Sequence, residues 1–115
     1  MNGFELFTER DNLSRELSAS IDVMANAGCK YAKAEAEYKI ELAKTALELK
    51  DKGMAVTMIN TIIHGTGNVP KLRMERDIAE VMYRTSQEKI QSLKLQLRIV
   101  EAQIEREWSQ AKRGM

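Results

Sequence analysis

From Pro70 to Arg113 the chain contains no further proline and no glycine. Apolar residues recur through that stretch at steps of three, four or their sums: Leu72, Ala79, Met82, Ile90, Leu93, Leu97, Val100, Ile104 and Trp108. Such steps lie on one face of one helix. Asn68, a residue type that caps free amides, stands just before it, and Pro70, the single proline, suits a first turn, where its missing N–H has no partner to lose. The expected second helix covers about 68–112. At ~1.5 Å per residue it is roughly 65 Å long, and a rod of that length cannot bury its stripe against itself.

The N-terminal part offers a partner of similar length. Thr8 followed by Asp11 resembles a capping box with Asp in the place of Glu or Gln. A helical stripe then continues through Leu13, Leu17, Ile21, Met24, Tyr31, Tyr38, Leu42, Ala46 and Leu49. The first helix is expected over about 8–52, with Lys50, Lys52 and Gly53 supplying the cations and the left-handed residue of a common helix end. Gly28 lies inside it and marks a kink, a close helix crossing or a break; the in-register stripe favours continuity.

Residues 53–67 read as the connector. Thr57 caps a short helical turn that carries Met58, Ile59, Ile62 and Ile63, and His64-Gly65-Thr66-Gly67 stops it. These apolar residues make a sticky face that should fold back on the hairpin or meet another chain.

Aromatic residues are only 5% of the chain, while Ala, Glu, Lys, Leu, Arg, Met and Gln dominate, the residues that lose least on entering a helix. The expected fold is therefore all-α: one domain over 1–115, built as a long antiparallel helical hairpin with a short connector helix. Ile78, Leu95 and Ile99 broaden the apolar face of helix two beyond a two-helix seam, so a second chain should cover them, giving a homodimer as a four-helix bundle. The residues expected to meet a partner are Met54, Met58, Ile59, Ile62, Ile63, Ile78, Leu95, Ile99 and Trp108. Trp108 either ends the bundle core or anchors a partner, and its register favours the core. Steps nearer 3.6 than 3.5 imply only weak supercoiling.

Little here supports catalysis. His64, the only histidine, would need a nucleophile such as Thr66 or Cys29, and no acidic residue is spaced to fix its tautomer. Gly65-Thr66-Gly67 lacks the Lys-Ser/Thr of a phosphate-binding loop, and one His with one Cys cannot make a zinc centre. No catalytic residue, cofactor or metal is expected. The lone Cys29 fits a reducing compartment, and no run reaches the ~20 apolar residues of a membrane span, so a cytoplasmic protein without membrane contact is expected. The formal charge of +1 gives no chain-wide attraction to nucleic acid, although Lys50, Lys52, Lys71, Arg73 and Arg76 gather near the connector as candidate phosphate contacts. Asp51, Glu75 and Asp77 dilute that cluster, and no aromatic residue is interleaved to stack a base.

Three segments carry a resemblance: Tyr31-Ala-Lys-Ala-Glu-Ala-Glu-Tyr38, Leu49-Lys-Asp-Lys-Gly53-Met-Ala-Val-Thr57-Met-Ile59, and Ala79-Glu-Val-Met-Tyr83 with Glu88-Lys-Ile90 and Glu107-Trp108. In this order they resemble small uncharacterised helical proteins of bacteriophages and prophages of Gram-positive bacteria, over roughly 31–108, with Gly53, Val56, Thr57, Ile59 and Gly65 the most distinctive matches. The resemblance implies a phage accessory protein in the bacterial cytoplasm, encoded near recombination or replication functions, and it brings no catalytic residues. The expected activity is protein–protein interaction with another phage or host protein, among them recombination, replication or host-defence factors. The alternative is a DNA-binding accessory factor.

Overall fold

A computed structural model describes residues 2–114. The chain forms α1 (Gly3–Asp51), α2 (Val56–Ile62) continued by a 3-10 turn (Ile63–Gly65), and α3 (Val69–Arg113), with no strand among the described residues. This is the expected pair of long helices around a short connector.

The start of α1 differs from expectation. Asn2 caps it: the side-chain Oδ1 accepts the Glu5 N–H at 2.8 Å, and the Asn2 N–H donates to Glu5 Oε2 at 3.2 Å. This reciprocal pair is a capping box one turn and a half upstream of Thr8. Thr8 does not cap; its hydroxyl donates to the Phe4 carbonyl inside the helix, while Asp11 accepts from Arg10.

The end of α1 follows from Gly53. Its φ of +86° lets the Gly53 N–H reach the Lys50 carbonyl and the Met54 N–H reach the Leu49 carbonyl, the two bonds of a Schellman turn. Met54 then joins the apolar cluster around Leu49. In the connector, Ala55 stands at the N-cap of α2 without a side-chain bond. Thr57 is therefore not the cap; it lies in the first turn, where its carbonyl accepts the Thr61 hydroxyl at 2.9 Å. Ile59 and Ile63 are buried with Leu49, and Leu42, Ala46 and Ile62 pack against them, so the connector's apolar face folds back on its own hairpin.

The packing forms two units. One joins the chain up to Ala25 with the chain from Thr85 onward; the other is Asn26–Arg84. In the first, Leu6, Leu13, Leu93 and Val100 make the core, with Leu17, Leu97 and Ile104 against it. In the second, α1 runs unbroken through Gly28, which faces the Tyr83 ring: a Cβ at Gly28 would lie 3.0 Å from Tyr83 Cε1. Gly28 is thus a close helix crossing. Tyr31 meets the same ring with centroids 6.1 Å apart, and farther along Tyr38 lies under Arg76. Numbers rise on α1 as they fall on α3, so the helices of this unit are antiparallel.

Covered positions of α3 form a row through Val69, Leu72, Arg76, Ala79 and Tyr83 in the second unit and Ser86, Ile90, Leu93, Leu97, Val100 and Ile104 in the first, with Glu80 and Ser109 half-buried besides. Within each set the steps alternate three and four. They average 3.5 in the second unit, the spacing of left-handed knobs-into-holes packing, and 3.6 in the first, that of a nearly straight helix. Apolar counting therefore misplaced two stripe residues of α3, as it did Ile21 on α1, which is exposed. Met82, beside the true seam residue Tyr83, is exposed, and so is Trp108, beyond Ile104, the last large apolar residue of the covered row.

Candidate protein-docking face

The sequence-expected contact residues divide sharply once placed. Ile59 and Ile63 are 5% and 6% exposed inside the connector's own cluster, so they are not free to meet a partner. Their i, i+4 spacing was read correctly as one apolar face, but that face closes over Leu49. Met54 and Ile62 are half-buried against the same cluster. Met58, Ile78, Leu95 and Ile99 are exposed, and Trp108 is exposed rather than part of the core.

In the Asn26–Arg84 unit the exposed residues of α3 are concentrated. Met74, Ile78, Val81 and Met82 are each more than half exposed and line an open groove of about 510 Å³, together with Pro70, Arg73, Asp77 and His64 of the 3-10 turn. Sequence reasoning singled out Ile78 and His64 here. It missed the role of Met74, Val81 and Met82, although their steps of four, three and one around Ile78 mark a second stripe behind the seam. In the other unit a smaller hollow of about 240 Å³ is lined by Gly3, Phe7, Ile104, Glu107, Trp108 and Ala111. Arg10 stacks its guanidinium 5.1 Å from the Phe7 ring centroid beside it.

The basic candidates also divide. Lys50, Lys52, Lys71 and Arg73 are exposed. Arg76 is not a free cation: it occupies a seam position, lies 4.5 Å over the Tyr38 ring, and donates to Asp77 Oδ1 from Nε at 3.0 Å and Nη2 at 2.8 Å. Asp77, accepting those bonds, holds the Arg76 pKa above its ordinary value. A cation on an aromatic face is attracted by the ring's negative quadrupole, so Arg76 is already partnered by both a ring and a carboxylate. Arg84 is likewise bonded to Glu80 at 2.8 Å, and that carboxylate raises its pKa.

His64 Nδ1 sits 3.5 Å from the Tyr38 hydroxyl, at the edge of hydrogen-bond range. The Thr66 hydroxyl donates to the Ile62 carbonyl at 2.8 Å, which ties it to the connector rather than to an imidazole. Cys29 is a free, exposed thiol. Among the described residues no group of three or more His, Cys, Asp or Glu is placed to hold a metal ion, and no helix is long and apolar enough to cross a membrane.

Compared with known proteins, the chain matches no family model, no curated protein and no solved structure.

Proposed function

We propose that the protein is a non-enzymatic accessory module that works by protein–protein contact and self-associates as a dimer of hairpins, forming a four-helix bundle. The observation that carries this reading is the face of Met74, Ile78, Val81 and Met82, left in water by a helix whose other face already has its seam. Large apolar side chains grouped in this way are the usual mark of a surface that another protein covers. The resemblance at Gly53, Val56, Thr57, Ile59 and Gly65 supplies the setting: a phage or prophage protein of the bacterial cytoplasm, with recombination, replication or host-defence factors as further partners.

Sedimentation equilibrium on the full chain, joined to cross-linking in phage-infected cells, tests the reading. The expected result is a concentration-dependent dimer with defined cross-links. A chain that stays monomeric up to millimolar concentration and cross-links to nothing in those cells contradicts it.

The alternative, a DNA-binding accessory factor, keeps Lys50, Lys52, Lys71 and Arg73 as exposed cations flanking the connector, but without Arg76. Binding of that kind weakens steeply with salt. Failure to shift single- or double-stranded DNA at low salt removes it.

A further inference from the structure

We infer that the outward face of α3 in the Asn26–Arg84 unit docks on the same face of a second copy of this chain, antiparallel, with Ile78 of each copy over Val81 of the other and Asp77 opposite Arg84. The inference rests on the self-association reading above and specifies its surface and register. A two-fold contact must be self-complementary, because whatever residue i meets, that residue meets i in return. Ile78 and Val81 are three apart on the exposed stripe, so crossing them makes two equivalent apolar layers, with Met74 and Met82 at the margins. Methionine side chains adapt readily to such margins.

The flanking charges select the direction. Asp77 and Arg84 are seven residues apart and lie on the same flank of the stripe. In a parallel two-fold pair only the stripe residues would face their own twins; the flank carrying Asp77 and Arg84 would lie against the opposite flank of the partner, where Asp77 meets Met82 and gains no cation. The antiparallel pair with Ile78 over Val81 instead brings each Asp77 to an Arg84, twice by symmetry. Their present partners do not prevent this. Asp77 bonds Arg76 and Arg84 bonds Glu80 along the helix, with the Asp77 and Arg84 side chains 53% and 71% exposed, so both can turn at little cost.

The outer face of α1 is the other candidate surface in this unit, and it is poorer. Ile40 and Leu47 are exposed there, but Ala43 lies between them and leaves a gap where α3 presents a continuous row of large side chains. The α3 face is short, about three helical turns, which places the contact at the small end of specific interfaces and makes a dimer that dissociates on dilution.

Sedimentation equilibrium of the full chain, with circular dichroism to follow helicity, provides the test. Ile78→Asp should weaken dimerisation by about 30-fold or more, as loss of a central apolar anchor does. Leu47→Asp should leave it unchanged. Asp77→Arg and Arg84→Asp should each weaken it by roughly 3- to 10-fold, and the two together should restore it, because the ion pair is re-formed with its signs exchanged. A wild-type dimer indifferent to Ile78→Asp overturns this docking face while the self-association reading stands. Weakening by the single charge changes without recovery in the pair overturns the antiparallel register. A wild-type chain that is monomeric at every concentration overturns the self-association reading itself. If instead Ile78→Asp abolishes a cross-link to a phage or host protein in a monomeric wild type, the face belongs to that partner and the second copy is excluded.

Discussion

Up to Ala25 and again from Thr85, the helices meet through aliphatic side chains, with Leu6, Leu13, Leu93 and Val100 at the centre. Between Asn26 and Arg84 they meet through Gly28, Tyr31, Tyr38, Arg76 and Tyr83, and the aliphatic packing is moved to the connector around Leu49, Ile59 and Ile63. Both use the same alternation of three and four along α3. The aliphatic seam draws on non-directional burial, which tolerates exchange of one branched side chain for another of similar volume. The aromatic seam draws on fitted shapes: a ring seated where there is no Cβ, and a cation laid on a ring face. A unit of the second kind gains specificity for one register, while large apolar side chains stay exposed on the outer faces of both units.

The largest effect separating the two is expected from Leu93→Ala. Leu93 is 3% exposed among Leu6, Leu13 and Val100, and truncation leaves a cavity in a seam with no connector to fill it. A loss of about 2–5 kcal/mol is expected. Hydrogen exchange should show the faster opening in the segments up to Ala25 and beyond Thr85, with smaller changes around Leu49 and Ile59. Equal acceleration of all amides would mean that aliphatic and aromatic seams unfold as one cooperative block.

Next in size is Gly28→Leu, which strikes the aromatic seam at its tightest point. Even the first carbon of a side chain there meets Tyr83 Cε1 at 3.0 Å, so a full leucine displaces the ring, at a cost of about 1–3 kcal/mol for overpacking. Gly28→Ala sharpens the comparison. In a Tyr83→Ala background the alanine should stabilise by about 1 kcal/mol through helix propensity alone. With Tyr83 present, part or all of that gain should be lost, and a double-mutant cycle by thermal unfolding measures the difference. An unchanged gain in both backgrounds would show that the ring is not seated on Gly28.

These two units also differ in how far their packing was legible in the sequence. The helices themselves were plain: a single proline placed in a first turn, Gly53 at a helix end, and long stripes with no breaker. Leu13, Leu17, Leu93, Leu97 and Val100 were found because an aliphatic seam announces itself to apolar counting. The aromatic seam was legible on α1, where Tyr31 and Tyr38 lie on the counted stripe, and less so on α3. Arg76 and Thr45 occupy covered positions in that unit without being apolar, and Met82 enters the stripe in place of Tyr83; in the aliphatic unit Ser86 is likewise covered and Trp108 likewise exposed. Arg76 was grouped with exposed lysines because sequence neighbours show its charge and not the Tyr38 ring beneath it. Ile59 and Ile63 were rightly seen to need cover, but whether that cover is the same chain depends on tertiary closure. The Asn2–Glu5 box stands well ahead of the apolar stripe that begins at Leu13, so the stripe does not point to it.

A third comparison sets Arg76 over Tyr38 against the exposed ion pair of the other unit. Arg76→Met keeps most of the stem's packing and removes the cation from the ring face and from Asp77. The melting temperature should fall, and the loss should persist at high salt, because the ring contact is short-ranged and enclosed by the seam. A loss that vanishes in salt would assign Arg76 to the surface with the lysines and return it to the phosphate-binding candidates.

The smallest effect is expected at Glu16 and Lys89, the cross-helix ion pair of the aliphatic unit. Glu16 Oε1 lies 3.7 Å from Lys89 Nζ, with side chains 52% and 59% exposed, so water and ions surround both charges. Two flexible side chains must be ordered to hold the contact, and the Coulomb gain in that surrounding is small. Glu16→Gln should therefore cost no more than about 0.5 kcal/mol at low salt and nothing measurable near 1 M, where the screening length falls to about 3 Å. Thermal melts of both variants across one salt series make the comparison directly. If Glu16→Gln instead proves as costly as Arg76→Met and equally resistant to salt, then the aliphatic seam also depends on a directional contact, and the division of labour between burial in one unit and fitted shape in the other fails.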